Sequence, residues 1–175
     1  LHRSWYDRHL KEADNGLDDE APIRIFVMGD NAWRDEWEWP LARTETTRLY
    51  LSSSGAANTR FGDGRLVEVQ PLNERPDNFR YDPRNPLPTY GGNGCCGGGL
   101  TPHGPLDQRV NQQRQDVLVY TTTNLEADLE VTGGIELVLF FSTDVPDTDF
   151  FATVSDVYPD GRAIVIAEGM FRARF

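Results

Sequence analysis

The sequence predicts a mainly β fold, a sandwich or jelly roll, and the second half of the chain carries most of this prediction. Strand-like segments follow one another there, separated by turn residues and with no helical pattern between them. In the last segment, apolar residues at positions 171, 173 and 175 alternate with two arginines, which is the period of a strand. Such a series implies a β-sandwich or jelly roll. The predicted strands are residues 116–122, 129–132, 135–142, 150–158 and 163–175.

The turn at residues 158–162, with the sequence YPDGR, predicts how the last two strands pair. Pro159 presets φ for the turn, and Gly161 can take the positive φ that the turn requires. We therefore expect residues 150–158 and 163–175 to form an antiparallel hairpin.

The first half of the chain mixes one helix with strands. Residues 1–13, LHRSWYDRHLKEA, place apolar and charged side chains on opposite sides of a helix that ends at Asn15 and Gly16. Residues 22–29, PIRIFVMG, are apolar at nearly every position, so we expect a strand buried on both faces, as in an α/β layer. Both elements look like the tail of a domain whose bulk lies elsewhere. Shorter strands are predicted at residues 47–52, 66–69 and 78–81, the second of them after the hairpin-like sequence GDG.

Three tryptophans lie close together in residues 31–41, NAWRDEWEWPL, among charged side chains. Aromatic rings at this density could cage a cation or stack on a substrate ring. We favour the more common arrangement, a corner in which Trp33, Trp37 and Trp39 are buried against the next domain with their N–H groups hydrogen-bonded.

A long glycine-rich loop, residues 88–109, separates the two halves and contains both cysteines. A loop this long in a compact chain is uncommon unless it binds something or is disordered. We favour two free thiols at Cys95 and Cys96, because a bond between adjacent cysteines closes a strained ring. No metal site is predicted, because thiolate ligands need a second pair or histidines at fixed spacing and only His103 is near. A catalytic Cys–His pair is the weaker alternative, because such a loop would preorganise it poorly.

Composition and charge exclude several classes of partner. The chain has 175 residues, enough for one domain with a core of its own, and a formal net charge of −11. Binding to phosphates requires a cluster of Lys and Arg, which is missing, so no nucleic acid is expected. No apolar run approaches the length that spans a membrane. The chain begins without Met and shows no signal-peptide pattern, which favours a piece of a longer protein.

No catalytic residues are predicted within this chain. An α/β-hydrolase serine lies on a G-x-S-x-G turn that exposes its hydroxyl beside backbone donors, and no serine here has that context. The aspartates between residues 144 and 160 lack the ligand spacing of a calcium loop, so turn capping is the better interpretation. No cofactor is predicted.

Several motifs in order resemble one family, the cocaine esterases and α-amino-acid ester hydrolases, bacterial acyl esterases that share the X-Pro dipeptidyl-peptidase C-terminal domain. The resemblance covers nearly the whole chain. Its most specific motifs are GPLDQR and DTDFFATVSDVYPDGRA, and the others are WYDRHLK, IRIFVMGDNAWRDEWEWPL, YDPRNPLPTYGG, DVLVYTT and LEVTG.

This resemblance implies an α/β-hydrolase domain with a Ser-His-Asp triad, a helical cap and a C-terminal jelly roll of the galactose-binding-like type. Residues 1–43 would be the last helix and strand of the hydrolase domain, and residues 44–175 a jelly roll without its final strands. The implied partners are the missing hydrolase and cap domains, a small acyl ester or amide substrate and further copies of the enzyme in a homo-oligomer.

The resemblance also implies a role for the glycine-rich loop. In these enzymes the loop reaches over the catalytic domain and borders the acyl pocket, so Asn93, Cys95 and Cys96 are the predicted pocket-wall residues. Small thiols at those positions would leave room for an acyl group. The alternative function is a stand-alone jelly-roll module that binds a carbohydrate or another ligand, with the three tryptophans as its platform.

Overall fold

The computed structural model describes residues 2–94 and 101–174. The chain divides into two compact units, one formed by Leu1–Thr46 with Glu130–Ile135 and the other by Thr47–Leu129 with Glu136–Phe175. The predicted mainly β class is confirmed: the strands form three antiparallel pairs, with one α-helix among the described residues. The elements are α1 (His2–Lys11), β1 (Ile23–Val27), β2 (Ala32–Glu36), β3 (Tyr50–Ser52), β4 (Arg65–Val67), β5 (Asp147–Val157) and β6 (Ala163–Arg174), with short 3₁₀ helices at Leu17–Asp19 and Gln108–Gln113.

The predicted N-terminal helix is present as α1, but it ends at Lys11 and not at Asn15 and Gly16, because Glu12 already takes the left-handed conformation with φ of 54°. The side-chain amide of Asn15 donates to the carbonyl of Ser4 at 2.8 Å, and Gly16 takes the left-handed conformation with φ of 76°. Lys11 pairs with Asp7 one turn earlier at 2.6 Å, which adds to helix stability. The apolar side of the helix is exposed, because Trp5, Tyr6 and Leu10 are each more than half accessible.

Strand β1 is not buried on both faces, so that prediction is wrong. Its residues alternate between half-buried and exposed, because β1 pairs with β2 in a two-stranded hairpin. On the exposed face, Arg24 forms a two-pronged ion pair with Asp35, its cross-strand partner, and Phe26 contacts Trp33 edge-on at 5.3 Å between ring centres. In the sequence, Arg24 interrupts the apolar run, and this charged residue indicates that one face of β1 is exposed to water.

The predicted burial of the tryptophans is also wrong. Trp33, Trp37 and Trp39 are 68%, 70% and 51% exposed. Trp33 lies on β2, and the other two follow the end of that strand. The segment is therefore an exposed aromatic surface of the first unit.

A network of ion pairs holds the first unit together. The buried carboxylate of Glu36 accepts from Arg34 at 2.6 Å and from Arg43 at 2.9 Å. Arg34 also forms a fork with both oxygens of Glu130, at 2.6 and 2.9 Å. The guanidinium of Arg43, then that of Arg34, lowers the pKa of Glu36, and Arg34 followed by Thr132 lowers that of Glu130 to about 2. These contacts join β2 to a segment almost a hundred residues away.

The second unit begins with the short hairpin of β3 and β4. Both strands are shorter than predicted, and residues 78–81, a predicted strand, have no strand structure. Instead, Asp77 accepts hydrogen bonds from the Ser53 hydroxyl at 2.6 Å, the Ala57 N–H at 2.8 Å and the Tyr120 hydroxyl at 2.6 Å. Burial, then the nearby Asp77, raises the pKa of Tyr120. A single carboxylate thus ties three segments together.

The predicted C-terminal hairpin is confirmed as β5 and β6, and its turn follows the predicted chemistry. The N–H of Tyr158 donates to the carbonyl of Arg162 at 2.9 Å, and Gly161 has a φ of 82°. The register shifts between Val154 and Ser155, which pair with Ala167 and Val165, so that Ile166 is the extra residue of a β-bulge.

Three predicted strands do not form ladders in the described part of the chain. Residues 116–122 make only single bridges, at Leu118 with Asn58 and at Thr121 with Arg65. Residues 129–132 and 135–142 have no strand assignment, and Val138 and Phe140 are 67% and 96% exposed. Propensity favours an extended backbone there, but a strand also needs a neighbouring edge to pair with.

Candidate functional site: an anchored glycine-rich loop

The glycine-rich loop is described for residues 88–94 and 101–109. Cys95 and Cys96, two of the three predicted pocket-wall residues, lie outside the described residues. Asn93, the third, is exposed. The loop belongs to the second unit, where it contacts β6.

The two sides of the loop meet in a neck, formed by residues 91–94 and 101–104. The N–H of Gly91 donates to the carbonyl of Pro102 at 2.9 Å, and Gly92 and Gly104 exchange two backbone hydrogen bonds at 2.8 and 3.0 Å. Gly91 and Gly92 both have φ of 76°, a conformation that side chains other than glycine rarely adopt. The consecutive glycines are therefore required by the backbone of the neck.

Three glycines of the neck also have no space for a side chain. A Cβ added to Gly91 would lie 2.8 Å from the carbonyl oxygen of Gly104, and one added to Gly92 would lie 2.1 Å from a carboxylate oxygen of Glu168. A Cβ at Gly94 would overlap the ring of His103, at 1.6 Å from Nδ1. His103 thus packs directly on the neck backbone.

Asp107 anchors the C-terminal side of the loop to β6. Its carboxylate accepts from the N–H of Ala163 at 3.1 Å and from the N–H and Nε of Arg109 at 3.1 and 2.7 Å. The preceding carbonyl, that of Leu106, accepts from the N–H of Val165 at 3.1 Å. The hydrogen bond from Arg109, with smaller help from the backbone N–H groups, lowers the pKa of Asp107 to about 2.

Two buried amides anchor the N-terminal side. The side chain of Gln108 donates to the carbonyls of Tyr90 at 2.5 Å and Leu106 at 3.3 Å. Asn111 donates to the carbonyl of Pro88 at 3.2 Å and to the side-chain oxygen of Gln108 at 3.2 Å. Both residues are about 93% buried. Each buried amide therefore finds its hydrogen-bond partner on a loop carbonyl.

The GPLDQR motif is thus a structural anchor, with a role that the sequence alone did not indicate. Asp107 and Gln108, the D and Q of the motif, fix opposite sides of the loop. Glu168 was missed altogether, because it lies inside a predicted strand and no local pattern distinguishes it. Its carboxylate accepts from the N–H of Asn93 at 2.7 Å. Asp107 and Glu168 therefore attach the loop to β6, and Gln108 connects the two sides of the loop.

A separate open cleft of about 330 Å³ in the second unit was also not predicted. Arg114 lines it and donates four hydrogen bonds, two to Asp116 and two to Asn85. Among residues 2–94 and 101–174, no group of three or more His, Cys, Asp or Glu side chains is placed to hold a metal ion, and no helix is long and apolar enough to cross a membrane.

The comparison with known families identifies the chain's relatives. Residues 15–175 match the model of the X-Pro dipeptidyl-peptidase C-terminal non-catalytic domain. The match includes the whole second unit and most of the first. The predicted resemblance is therefore confirmed.

Individual relatives agree with the family model. All 175 residues align with cocaine esterase of Rhodococcus sp. (strain MB1 Bresler), at 43% identity and over 30% of that protein. Two mycobacterial proteins, from Mycobacterium bovis and Mycobacterium tuberculosis, are each 30% identical over 97% of this chain and 25% of their own length. Their names assign them provisionally to the serine esterases. The chain spans less than a third of the curated relatives it matches, and it belongs to the family of X-Pro dipeptidyl-peptidase C-terminal non-catalytic domains.

Proposed function

We propose that this chain is the non-catalytic C-terminal region of a serine-type acyl hydrolase, which cleaves small esters or amides through an acyl-enzyme. The observation that carries the proposal is the 43% identity to cocaine esterase along the whole chain. In this mechanism a serine attacks the carbonyl, a histidine moves its proton and water releases the acyl group. The triad lies in the hydrolase domain of the parent protein, by which we mean the complete hydrolase that contains this chain.

The finer architecture is part of the same proposal. Residues 1–43 complete the hydrolase domain, and residues 44–175 form the jelly roll. The exposed apolar residues Leu129, Val131, Leu137, Val138 and Phe140 support this, because they have the composition of sheet strands and lie in segments without strand pairing in the described chain. The helical cap and a homo-oligomeric assembly complete the proposed parent enzyme.

Within that enzyme, Asn93, Cys95 and Cys96 form part of the acyl-pocket wall. The anchored loop supports this role. Contacts of Asp107, Gln108 and Glu168 hold it, and half of the neck residues are glycine, which lets another backbone or a substrate approach closely. A wall must be held in place if it is to discriminate acyl groups by size.

Replacing both cysteines with leucine in the parent protein tests the pocket wall. We expect kcat/KM for chromogenic esters to fall more steeply with acyl length, because the leucines fill space in the pocket. Ala127→Leu, which adds similar bulk at an exposed position outside the loop, is the matched control. An unchanged acyl-length profile contradicts the pocket wall, whereas a parent protein without any ester or amide hydrolysis contradicts the whole proposal.

The exposed tryptophans favour a second candidate, a stand-alone ligand-binding module. Trp33, Trp37 and Trp39 present large aromatic surfaces of the kind on which sugar rings stack. Binding of this chain to members of a glycan panel, lost on Trp33→Ala and Trp37→Ala, would favour this candidate. The hydrolase proposal expects no such binding.

A further inference from the structure

We propose that Glu168 is a positioning residue that fixes the backbone of Asn93 and thereby the acyl preference of the parent hydrolase. This inference rests on the proposed function, and it deepens it by adding a residue far from the loop in sequence. The direct observation is the hydrogen bond from the N–H of Asn93 to Oε1 of Glu168, at 2.7 Å. Its length is within the normal range of an N–H···O hydrogen bond.

The carboxyl group of Glu168 occupies the space that a side chain at position 92 would need. Three atoms of the Glu168 carboxyl group lie within 2.8 Å of the point where a Cβ of residue 92 would be. Any residue other than glycine at position 92 would push the carboxylate away, and the φ of 76° independently disfavours one. The carboxylate therefore fills a space that only this glycine leaves open.

The β-bulge explains why Glu168 reaches the loop at all. Val165 and Glu168 are three residues apart, so in a regular strand their side chains would point to opposite faces. Because Ile166 is the extra residue, the cross-strand partners of these two residues are Ser155 and Thr153, which lie two apart on β5 and share a face. Because of the bulge, the side chains of Glu168 and Val165 lie on the same face of β6.

The loop contacts both of these side chains. A Cβ added to Gly91 would lie 3.2 Å from Cγ1 of Val165, and one added to Gly92 would meet Glu168. The neck therefore rests on one face of β6, with an apolar contact at Val165 and a polar contact at Glu168. In the described part of the chain no cation pairs with Glu168, so its recorded contact is with the loop and not with its own hairpin.

The functional consequence is a link between β6 and substrate choice. The Asn93 N–H is the attachment nearest to the predicted pocket wall, whereas Asp107 and Gln108 hold the far end of the loop. Loss of the Glu168 bond frees the backbone of Asn93 without removing the other two attachments. The expected effect is therefore on substrate fit, with the fold retained.

The kinetic test uses three variants of the parent hydrolase. Glu168→Ala should lower kcat/KM for the preferred acyl ester by about tenfold, mainly through KM, because a displaced wall weakens acyl binding. Glu168→Gln keeps an oxygen acceptor and should recover most of this loss. Asp156→Ala is the matched control, an exposed carboxylate on β5 with no recorded contact to the loop, and should leave the acyl-length profile unchanged.

Hydrogen exchange supplies a readout that does not depend on activity. In Glu168→Ala the amide of Asn93 should exchange about tenfold faster, and Gly92→Ala should have the same effect by displacing the carboxylate. The amides of Ala163 and Val165, at the other anchor, should keep their protection.

The outcomes separate the two proposals. If the parent hydrolyses no ester or amide, the proposed function is wrong, whereas faster exchange at Asn93 still supports the contact that Glu168 makes. If exchange at Asn93 is unchanged in Glu168→Ala, Glu168 does not hold the loop and the inference is overturned. If exchange is faster but the acyl-length profile stays the same in an active parent, Glu168 has no part in substrate choice, and the inference is again overturned.

Discussion

Two Asp-x-Arg turns in the second unit have the same local geometry and different roles. At the loop anchor, Asp107 accepts from the N–H of Arg109 at 3.1 Å and from its Nε at 2.7 Å. At the tip of the C-terminal hairpin, Asp160 accepts from Arg162 at the same two distances. Asp107 has a third bond, from the N–H of Ala163, and its side chain is 27% exposed against 57% for Asp160.

The difference shows how one local motif acquires a tertiary role. All the hydrogen bonds of the hairpin turn lie within five residues, so the turn needs no contact with the rest of the chain. The anchor turn bonds to a strand more than fifty residues away, and that additional contact helps to fix the loop to β6. Local geometry therefore does not distinguish a turn that has only local hydrogen bonds from a turn that also bonds to a distant strand.

The largest expected effect is the loss of the anchor carboxylate. Asp107→Ala removes three hydrogen bonds and should lower the free energy of unfolding by about 2–3 kcal/mol, the usual cost at a half-buried carboxylate that bonds backbone N–H groups. Asp160→Ala, the matched control, should cost less than half as much. Urea unfolding followed by tryptophan fluorescence measures both. Equal losses would show that the contact with Ala163 adds nothing.

The second-largest expected effect is the difference in stability loss between substitutions at Gln108 and Gly161, the middle residues of the two turns. Gln108→Ala leaves two loop carbonyls without their donor and should cost about 2 kcal/mol. Gly161→Ala forces a side chain into a positive φ and should cost about 1 kcal/mol, although the nearest atom to the new Cβ is at an ordinary distance of 3.4 Å. The same urea titration compares them. A larger loss at Gly161 than at Gln108 would contradict the assignment of the anchor role.

Acid should weaken the anchor as Asp107 takes up a proton. The pKa of Asp107 is about 2 in the folded chain, below the ordinary value near 4, so the folded state binds this proton less readily than the unfolded state. Its contribution is therefore complete above about pH 4 and is lost as the pH falls toward about 2. Asp107→Asn should flatten the decrease in the urea midpoint between neutral pH and about pH 3. A decrease of unchanged slope would show that other carboxylates cause it.

The smallest expected effect lies far from both turns. Phe140 is 96% exposed, so Phe140→Ser should change the free energy of unfolding of this chain by less than about 0.5 kcal/mol. The same substitution should cost more in the parent hydrolase if residues 135–142 are covered there by a neighbouring strand. Urea unfolding of the two proteins measures the contrast. A large loss in this chain alone would mean that Phe140 is already packed.

Sequence reasoning succeeded where the decisive interactions are local. The N-terminal helix and the turn around Gly161 depend on neighbouring residues, and both were predicted, although the helix ends at Lys11, before Asn15 and Gly16. The resemblance to acyl esterases was also found from motifs alone. Strand pairing failed at residues 135–142, because propensity describes a single segment and a ladder needs a second one.

The loop that forms the candidate site was chosen from the sequence, but the contacts that hold it were missed. The glycine-rich loop was selected for its length and glycine content, and Asn93 was named within it. Glu168 could not be found, because its distance from Asn93 in sequence is 75 residues and its facing depends on a one-residue bulge. The anchoring roles of Asp107 and Gln108 equally depend on partners that no spacing rule connects.

The neck has a consequence for how this region can evolve. Because Gly92 and Gly104 are joined by two hydrogen bonds, the segment between Gly94 and Thr101 starts and ends on a fixed base. The entropy of closing a loop on such a base grows only with the logarithm of its length, so doubling the number of residues costs about 0.6 kcal/mol. Insertions, deletions and new side chains can therefore accumulate beyond the neck while the β-structure beneath it stays intact.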